Sequence, residues 1–324
     1  MSSAPLAASE RGRLSVDDLL SIADLEPADI ATIFATTVAM KAEPDRYSQA
    51  MQGRSSVLIF EKPSLRTRVT FDLGLHQMGG HAVYLDHLKV KLGERESIKD
   101  VARNLERWCD IIIARTYRNR SVTELASQAS IPVINGLTDL LHPCQGLTDL
   151  FTIREHFGHL DGLKIGYIGD GNNTCHSLIN GTAKLGLSMV VVTPEDYEPN
   201  SRVANAAVKL GRELGADLQI ENDVDALTGC DVIYTDTWTS MGQEFENEER
   251  TQVFAPYQVN ERLMSIAGPE AIFMHCLPAH RGAEVTTDVI DSDRSLVYEQ
   301  AENRLHVQKA LMTLLVTPGQ NTAE

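Results

Sequence analysis

Val57-Leu58-Ile59-Phe60-Glu61-Lys62-Pro63-Ser64-Leu65-Arg66-Thr67-Arg68-Val69 is the stretch whose reading decides the fold. The run Ser56 to Phe60 is short, apolar and β-branched, which is the signature of a buried strand. Lys62-Pro63-Ser64 breaks that run, and Val69 to Met78 then has a helical pattern. Strand, sharp turn and helix start therefore follow one another without a spacer. The same alternation recurs along the chain. Strands are predicted at His81 to Leu85, Asp110 to Ala114 and Ile131 to Asn135, and then at Lys164 to Ile168, Ser188 to Val192, Asp217 to Ile220, Asp231 to Thr235 and Ala271 to His275. Strands that alternate with amphipathic segments predict an α/β protein whose mainly parallel sheets carry helices on both faces.

Two series of strands, each with helices of its own, predict two domains. The first is residues 1–147 plus a C-terminal helix that returns to it within 299–324, and the second is residues 148–298. The hinge is expected near Gln145 to Phe157, and the active site in the cleft between the domains. Glu299 to Leu315 reads as the returning helix, with Ala301, Leu305, Gln308, Leu311 and Leu315 near one face.

The turn after Phe60 suits an anion. The first backbone N–H groups of a helix lack partners within it, and the positive end of its dipole points the same way. Ser64, Arg66 and Thr67 add side-chain donors. The competing reading, a Ser-capped helix start with solvated arginines, fits these residues equally well on their own. Two further features separate the readings. Arg115 follows the strand Asp110 to Ala114, and His142-Pro143-Cys144-Gln145 follows Ile131 to Asn135, so both reach the sheet edge where open α/β sheets bind ligands.

Composition makes a local cationic cluster the only anion site worth expecting. The 324 residues carry a formal charge of −16, which argues against a general nucleic-acid or anionic-membrane surface. No apolar run approaches the roughly 20 residues that span a bilayer, and Met1 to Ser15 lacks the apolar core of a secretory signal, so a cytoplasmic location is expected. The five cysteines Cys109, Cys144, Cys175, Cys230 and Cys276 have neither paired nor metal-like spacing and are expected to be reduced.

In the second series, Gly169-Asp170-Gly171-Asn172-Asn173 follows the strand Lys164 to Ile168 and invites a dinucleotide reading. That fingerprint wants a third glycine where Thr174 stands, although Glu195 does follow the next strand, so a nicotinamide cofactor is disfavoured. Asn172 and Asn173 instead offer amides that suit an amino-acid head group. Asp236 follows the strand Asp231 to Thr235, and Ser240-Met241-Gly242 extends the same loop. Alone, that Asp would be a capping residue in a turn. Cys276 follows the strand Ala271 to His275, ahead of the turn forced by Leu277-Pro278. It is either a nucleophile or a small buried residue at a strand end.

In order, Phe60-Glu61-Lys62, Ser64-Leu65-Arg66-Thr67-Arg68, His142-Pro143-Cys144-Gln145, Gly169-Asp170-Gly171-Asn172-Asn173, Asp236-Thr237-Trp238, Ser240-Met241-Gly242, His275-Cys276-Leu277-Pro278 and Glu302-Asn303-Arg304 resemble the aspartate/ornithine carbamoyltransferase family, and from the fourth motif onward its ornithine branch. The resemblance covers Leu14 to Val316. It implies that Ser64, the Leu65 backbone, Arg66, Thr67 and Arg115 hold the phosphate of carbamoyl phosphate, and that Thr67, Arg115 and His142 face the carbamoyl oxygen. Gln145, the Leu277 carbonyl and Arg304 would fix the amide end. Asn173, Asp236, Ser240 and Met241 would bind L-ornithine, and Lys91 would reach a neighbouring subunit's phosphate. Arg68 is expected to support the loop. Leu65 departs from the family's usual Thr, which removes one hydroxyl and leaves the backbone N–H. Lys91 stands where the family commonly has Gln or His.

The implied reaction converts carbamoyl phosphate and ornithine to citrulline and phosphate, with no metal or other cofactor, in arginine biosynthesis. The implied assembly is a homotrimer or a multiple of trimers. An amine such as ornithine's has a pKa of about 10.4, so fewer than about one molecule in a thousand is free to attack at neutral pH. Asp236 and Cys276 are expected to bind the cation and take its proton, with Arg115 and His142 stabilising the oxyanion. A relative of this enzyme could carbamoylate a different amine. Aspartate would need a cationic clamp that the Ser-Met-Gly loop lacks, putrescine would leave Asn173 and Ser240 without a carboxylate, and an acylated ornithine is a third candidate acceptor. A non-catalytic amino-acid-binding module is disfavoured by the intact Arg66, Arg115, His142, Gln145 and Cys276.

Overall fold

The computed structural model describes residues 13–85, 92–239 and 247–316. The chain divides into two compact units: Met1–Thr148 with Asn303–Glu324, and Asp149–Glu302. Both are parallel α/β units flanked by helices.

The first unit holds β1 (Ser55–Phe60), β2 (His81–Leu85), β3 (Ile111–Arg115) and β4 (Val133–Leu137). They pair in the order β2-β1-β3-β4, every pair parallel. Its helices are α1 (Pro27–Ala42), α2 (Arg66–Gln77), α3 (Ile98–Leu105) and α4 (Asn119–Gln128). The boundary between the units falls within α5 (Pro143–Phe157). The central strand β3 is buried along its whole length, while edge strand β2 is half exposed. That contrast explains why Ile111-Ile112-Ile113 is an unbroken apolar run, since a strand covered on both faces has no polar side. Val57, Ile59, Ile112 and Val133 pack with Ile98, Ala102 and Leu105 of α3 and Val122 and Leu125 of α4. Each fully buried Ile or Leu contributes about 1.5–3 kcal/mol.

The second unit holds β5 (Lys164–Ile168), β6 (Ser188–Val192), β7 (Leu218–Glu221), β8 (Val232–Thr235) and β9 (Ile272–His275). They pair in the order β7-β6-β5-β8-β9, again all parallel. The helices are α6 (Asn173–Leu185), α7 (Ser201–Leu214), α8 (Asn247–Phe254), α9 (Glu261–Ala267) and α10 (Thr287–Ile290). Leu263, Met264, Val289 and Ile290 seal Val190, Val192, Ile233 and Phe273 from water.

The last helix, α11 (Val297–Val316), also spans the unit boundary. Within the first unit, Leu305, Lys309 and Met312 of α11 pack against Gly74 of α2, where even a Cβ would meet the Lys309 chain at 3.1 Å. Among the described residues, no helix is long and apolar enough to cross a membrane.

Several predicted element ends move by one to three residues, and two of the shifts bear on the site. The fourth strand was placed at Ile131 to Asn135 and runs from Val133 to Leu137. Pro132 has no N–H to give a ladder and offers only its carbonyl, to Ile112. A register shift between Ala114 and Arg115 then carries the pairing on to Leu137. Helix α2 starts at Arg66 rather than Val69, so Arg66 and Thr67 lie in its first turn.

Candidate active site

In the first unit, the strand order makes β1 and β3 the pair at which the order of strand addition reverses, the point where parallel sheets open a binding crevice. The Glu61 N–H donates to the Arg115 carbonyl at 2.8 Å, which locks the two strand ends side by side. The buried Glu61 carboxylate accepts from the backbone N–H groups of Leu92 (3.0 Å) and Tyr117 (2.9 Å). The turn between β1 and α2 is closed by the Thr67 N–H donating to Ser64 Oγ at 3.2 Å.

Thr67 is where the charged groups converge. Its Oγ1 accepts from Arg304 Nη2 at 3.0 Å and from Arg115 Nη1 at 3.4 Å. Arg304 Nη1 donates to Gln145 Oε1 at 2.8 Å. Thr67, Arg115, His142, Gln145 and Arg304 are all buried. His142 is held neutral, its pKa pushed well below the usual histidine range by burial and then by the nearby charges of Arg304, Arg115 and Arg66. Buried guanidinium groups gathered around hydroxyl and amide oxygens make a site that an anion complements, and a neutral imidazole there can donate or accept one hydrogen bond without adding charge.

The second unit repeats the logic at the switch between β5 and β8. The loop leaving β5 needs glycine at 171: a Cβ there would lie 2.3 Å from Pro199 N, 2.5 Å from Glu198 C and 2.7 Å from Tyr197 O, all backbone atoms. Asn172 caps α6, its Oδ1 accepting from the N–H groups of Thr174 (2.9 Å) and Cys175 (3.2 Å). Its Nδ2 donates to Asp236 Oδ2 at 2.9 Å. The other oxygen of Asp236 accepts from its neighbour's backbone, Thr237 N–H, at 2.7 Å and from the Cys276 thiol at 3.0 Å. Asp170 pairs with the buried Arg250 at 2.7 Å, and Arg250 Nε donates to the Trp238 carbonyl at 2.6 Å, which ties the β8 loop to the β5 loop.

Behind Cys276, the Leu277 N–H donates to His275 Nδ1 at 2.8 Å, so His275 carries its proton on Nε2, facing the buried Glu284 at 3.3 Å. Leu277 adopts φ 56°, a conformation that an L side chain enters only at a cost of roughly 1–3 kcal/mol when its surroundings fix it. The His275 N–H donates to Gln300 Oε1 at 3.1 Å, and Gln300 Nε2 donates to Asp149 at 2.6 Å and to the Tyr234 hydroxyl at 3.1 Å. Asp236, His275 and Cys276 are the one grouping among the described residues whose donor atoms lie close enough, within 4.8 Å, to hold a metal ion. Nδ1 of His275 is committed to Leu277, and Asp236 and Cys276 are bonded to one another.

Of the residues singled out in the sequence, Ser64, Arg66, Thr67, Arg115, His142, Gln145 and Arg304 gather in the first unit. Leu65 is there too, its side chain exposed. In the second unit Asp236 and Cys276 are in contact, Asn173 is the first residue of α6 and Leu277 follows Cys276. Lys91, Ser240 and Met241 lie outside the described residues. The guanidinium of Arg68 stacks on the Tyr84 ring at 3.7 Å, which fastens α2 to β2. Sequence reasoning missed Asn172 as the partner of Asp236, and Arg250, Glu284 and Gln300 entirely. A helix-capping Asn at a strand end was the one local signal available.

Fold and sites together define a two-unit parallel α/β protein, each unit presenting its polar groups at a sheet switch point. The chain belongs to the aspartate/ornithine carbamoyltransferase family: residues 17–155 match the family's carbamoyl-P binding domain and residues 161–315 its Asp/Orn binding domain. It is 48% identical over 305 residues to an ornithine carbamoyltransferase of Thermococcus kodakarensis, covering 92% of this chain and 96% of that one. An ornithine carbamoyltransferase of Pyrococcus furiosus described as anabolic is also 48% identical over 305 residues, covering 92% of this chain and 96% of that one. A solved structure of ornithine carbamoyltransferase from Pyrococcus furiosus superposes with a TM-score of 0.90 at 47% identity, covering 96% of this chain and 99% of that one.

Proposed function

We propose that this enzyme transfers the carbamoyl group of carbamoyl phosphate to the side-chain amine of L-ornithine, giving L-citrulline and phosphate. The observation that carries the reading is the convergence of Arg115 and Arg304 on Thr67 beside a neutral His142. Ser64, the Leu65 N–H, Arg66, Thr67 and Arg115 hold the phosphate, with Lys91 as an added contact from a neighbouring subunit. Gln145, the Leu277 carbonyl and Arg304 orient the carbamoyl amide. Asn173, Asp236, Ser240 and Met241 hold ornithine.

The Asp236–Cys276 pair supports direct attack by the amine. Asp236 attracts the ammonium group, and the proton that must leave before nitrogen can attack passes to it directly or through Cys276, whose thiol gives its proton to Oδ1 as the sulfur receives the amine's. Arg115 and His142 then stabilise the negative charge that grows on the carbamoyl oxygen, and phosphate departs onto the arginines. Phosphate is a competent leaving group, so no covalent enzyme intermediate is needed.

The same reading assigns the enzyme to arginine biosynthesis in the cytoplasm, as a homotrimer or a multiple of trimers. Apolar Leu65, Val69 and Leu73 support a subunit contact: at spacings of four, they continue one stripe from the N-cap of α2 along the helix and are 73%, 41% and 48% exposed. The test is a coupled measurement of citrulline and phosphate from the two substrates. Equal amounts of both products, lost in Arg115→Met, are expected; phosphate release without citrulline would refute the transfer.

A further inference from the structure

We propose that Asn172 is the positioning residue of the amine half-reaction: by clamping one oxygen of Asp236, it aims the other at the Cys276 thiol. The inference rests on the carbamoyl-transfer reading above and adds a residue that the motif alone leaves as a helix cap.

The geometry fixes the Asn172 amide without freedom to flip. Its Oδ1 accepts from two helix N–H groups at 2.9 and 3.2 Å and lies 3.3 Å from the Tyr167 hydroxyl, which also lies 2.8 Å from the Asp170 carbonyl. Turning the amide over would set its NH2 against those N–H donors. Nδ2 must therefore face Asp236 Oδ2, which it reaches at 2.9 Å. The Tyr167 ring that backs this arrangement is stacked on Tyr234 at 5.8 Å.

Asp236 is thus gripped at both oxygens, by Asn172 on Oδ2 and by Thr237 N–H and Cys276 on Oδ1. Without Asn172, these anchors are all on Oδ1 and the carboxylate gains freedom to turn. Asp236 is buried, so water is a poor substitute for the lost donor. A helix cap alone does not require this residue type. Ser and Asp cap as well as Asn does, but Asp brings no donor, and Ser has a single oxygen in place of the two separate atoms with which Asn172 caps the helix and reaches Asp236.

That difference separates a positioning role from a structural one. Asn172→Ser and Asn172→Asp both keep the cap, so both are expected to fold with a melting temperature within a few degrees of the parent. In Asn172→Ser, kcat/KM for ornithine should fall about 30- to 100-fold, the scale of misplacing a reacting group by about 1 Å, with the dissociation constant for carbamoyl phosphate unchanged. In Asn172→Asp, two carboxylates face each other and share a proton only as pH falls. Its loss should deepen above pH 7 and partly recover toward pH 6, whereas the Asn172→Ser deficit stays flat. An unchanged kcat/KM in Asn172→Ser, or a parallel loss of carbamoyl phosphate affinity, overturns the proposal.

Alkylation of Cys276 by iodoacetamide provides a readout that does not depend on the reaction. The other four cysteines are buried, so the fast-reacting thiol is Cys276. A carboxylate that accepts the S–H hydrogen bond and repels a thiolate charge keeps the sulfur in its protonated, unreactive form, so Asn172→Ser should raise the alkylation rate constant at least threefold. An unchanged rate overturns the clamp. Failure of the parent protein to make citrulline counts against the transfer reading alone, and the alkylation rates still decide the role of Asn172.

Discussion

Replacing Gly171 with alanine adds one carbon at the most crowded of the second unit's described glycines. The new Cβ would sit 2.3 Å from Pro199 N and 2.5 Å from Glu198 C, against the 3.4 Å at which ordinary contact begins. Backbone on both sides must therefore separate by about 1 Å, and overpacking of this kind costs about 1–3 kcal/mol. At about 2–4 °C per kcal/mol for a chain segment of this size, the melting temperature should fall by about 2–12 °C. The shift cannot stay at residue 171. Asn172 and Asn173 follow directly, so the clamp on Asp236 moves with them, and a displacement of that size costs about 100-fold in a positioned reaction. Scanning calorimetry and steady-state kinetics with varied ornithine read both effects, while phosphate affinity, a property of the first unit, should hold. A Gly171→Ala protein with unchanged melting temperature and unchanged ornithine kcat/KM would refute the reasoning.

The first unit is expected to be stabilised by an anion: inorganic phosphate at 100 times its dissociation constant should add about 2.7 kcal/mol and raise the melting temperature by several degrees, whereas Arg66→Met should weaken phosphate about 30-fold or more through loss of charge-assisted hydrogen bonds. His142 gives a pH signature. Its folded pKa lies well below the ordinary value of 6.5, so below pH 6.5 the unfolded chain takes up a proton that the folded chain refuses. Stability should therefore fall as pH drops from about 6.5, by up to about 1.4 kcal/mol per pH unit for this one group. Urea titrations at pH 7.0, 6.0 and 5.5 should show that slope reduced in His142→Gln; equal slopes would contradict the neutral, buried imidazole. Cys276→Ser and Cys276→Ala should both retain measurable turnover, reduced about 10²- to 10⁴-fold as for loss of one proton-transfer group. Complete loss in both, with a carbamoyl thioester trapped on the parent enzyme, would overturn direct attack.

The strands were legible because parallel strands buried on both faces must be short and continuously apolar, as Val57 to Phe60 and Ile111 to Ile113 are. Their order was not, because nothing in a strand's own sequence says which neighbour it takes. The switch points at β1/β3 and β5/β8 appeared only with the fold. Local turn chemistry likewise exposed Ser64, Arg66, Thr67 and Asp236 as polar residues at strand ends. The residues that hold them in place escaped for a physical reason. Asn172 reaches Asp236 across 64 positions and Gln300 reaches Asp149 across 151, so no spacing rule applies; Arg304, 237 positions from Thr67, was expected only through the family resemblance. Buried polar residues such as Glu284 and Gln300 look like surface residues until their burial is known.

Acceptor profiling tests the central claim most directly. With carbamoyl phosphate fixed and saturating, purified protein is offered ornithine, N-acetylornithine, putrescine and aspartate, and each carbamoylated product is measured. Ornithine should be preferred at least about 100-fold, because a site built to pair both ends of the zwitterion leaves polar groups unmatched with any other acceptor. Equal or greater turnover of putrescine, aspartate or N-acetylornithine would contradict it.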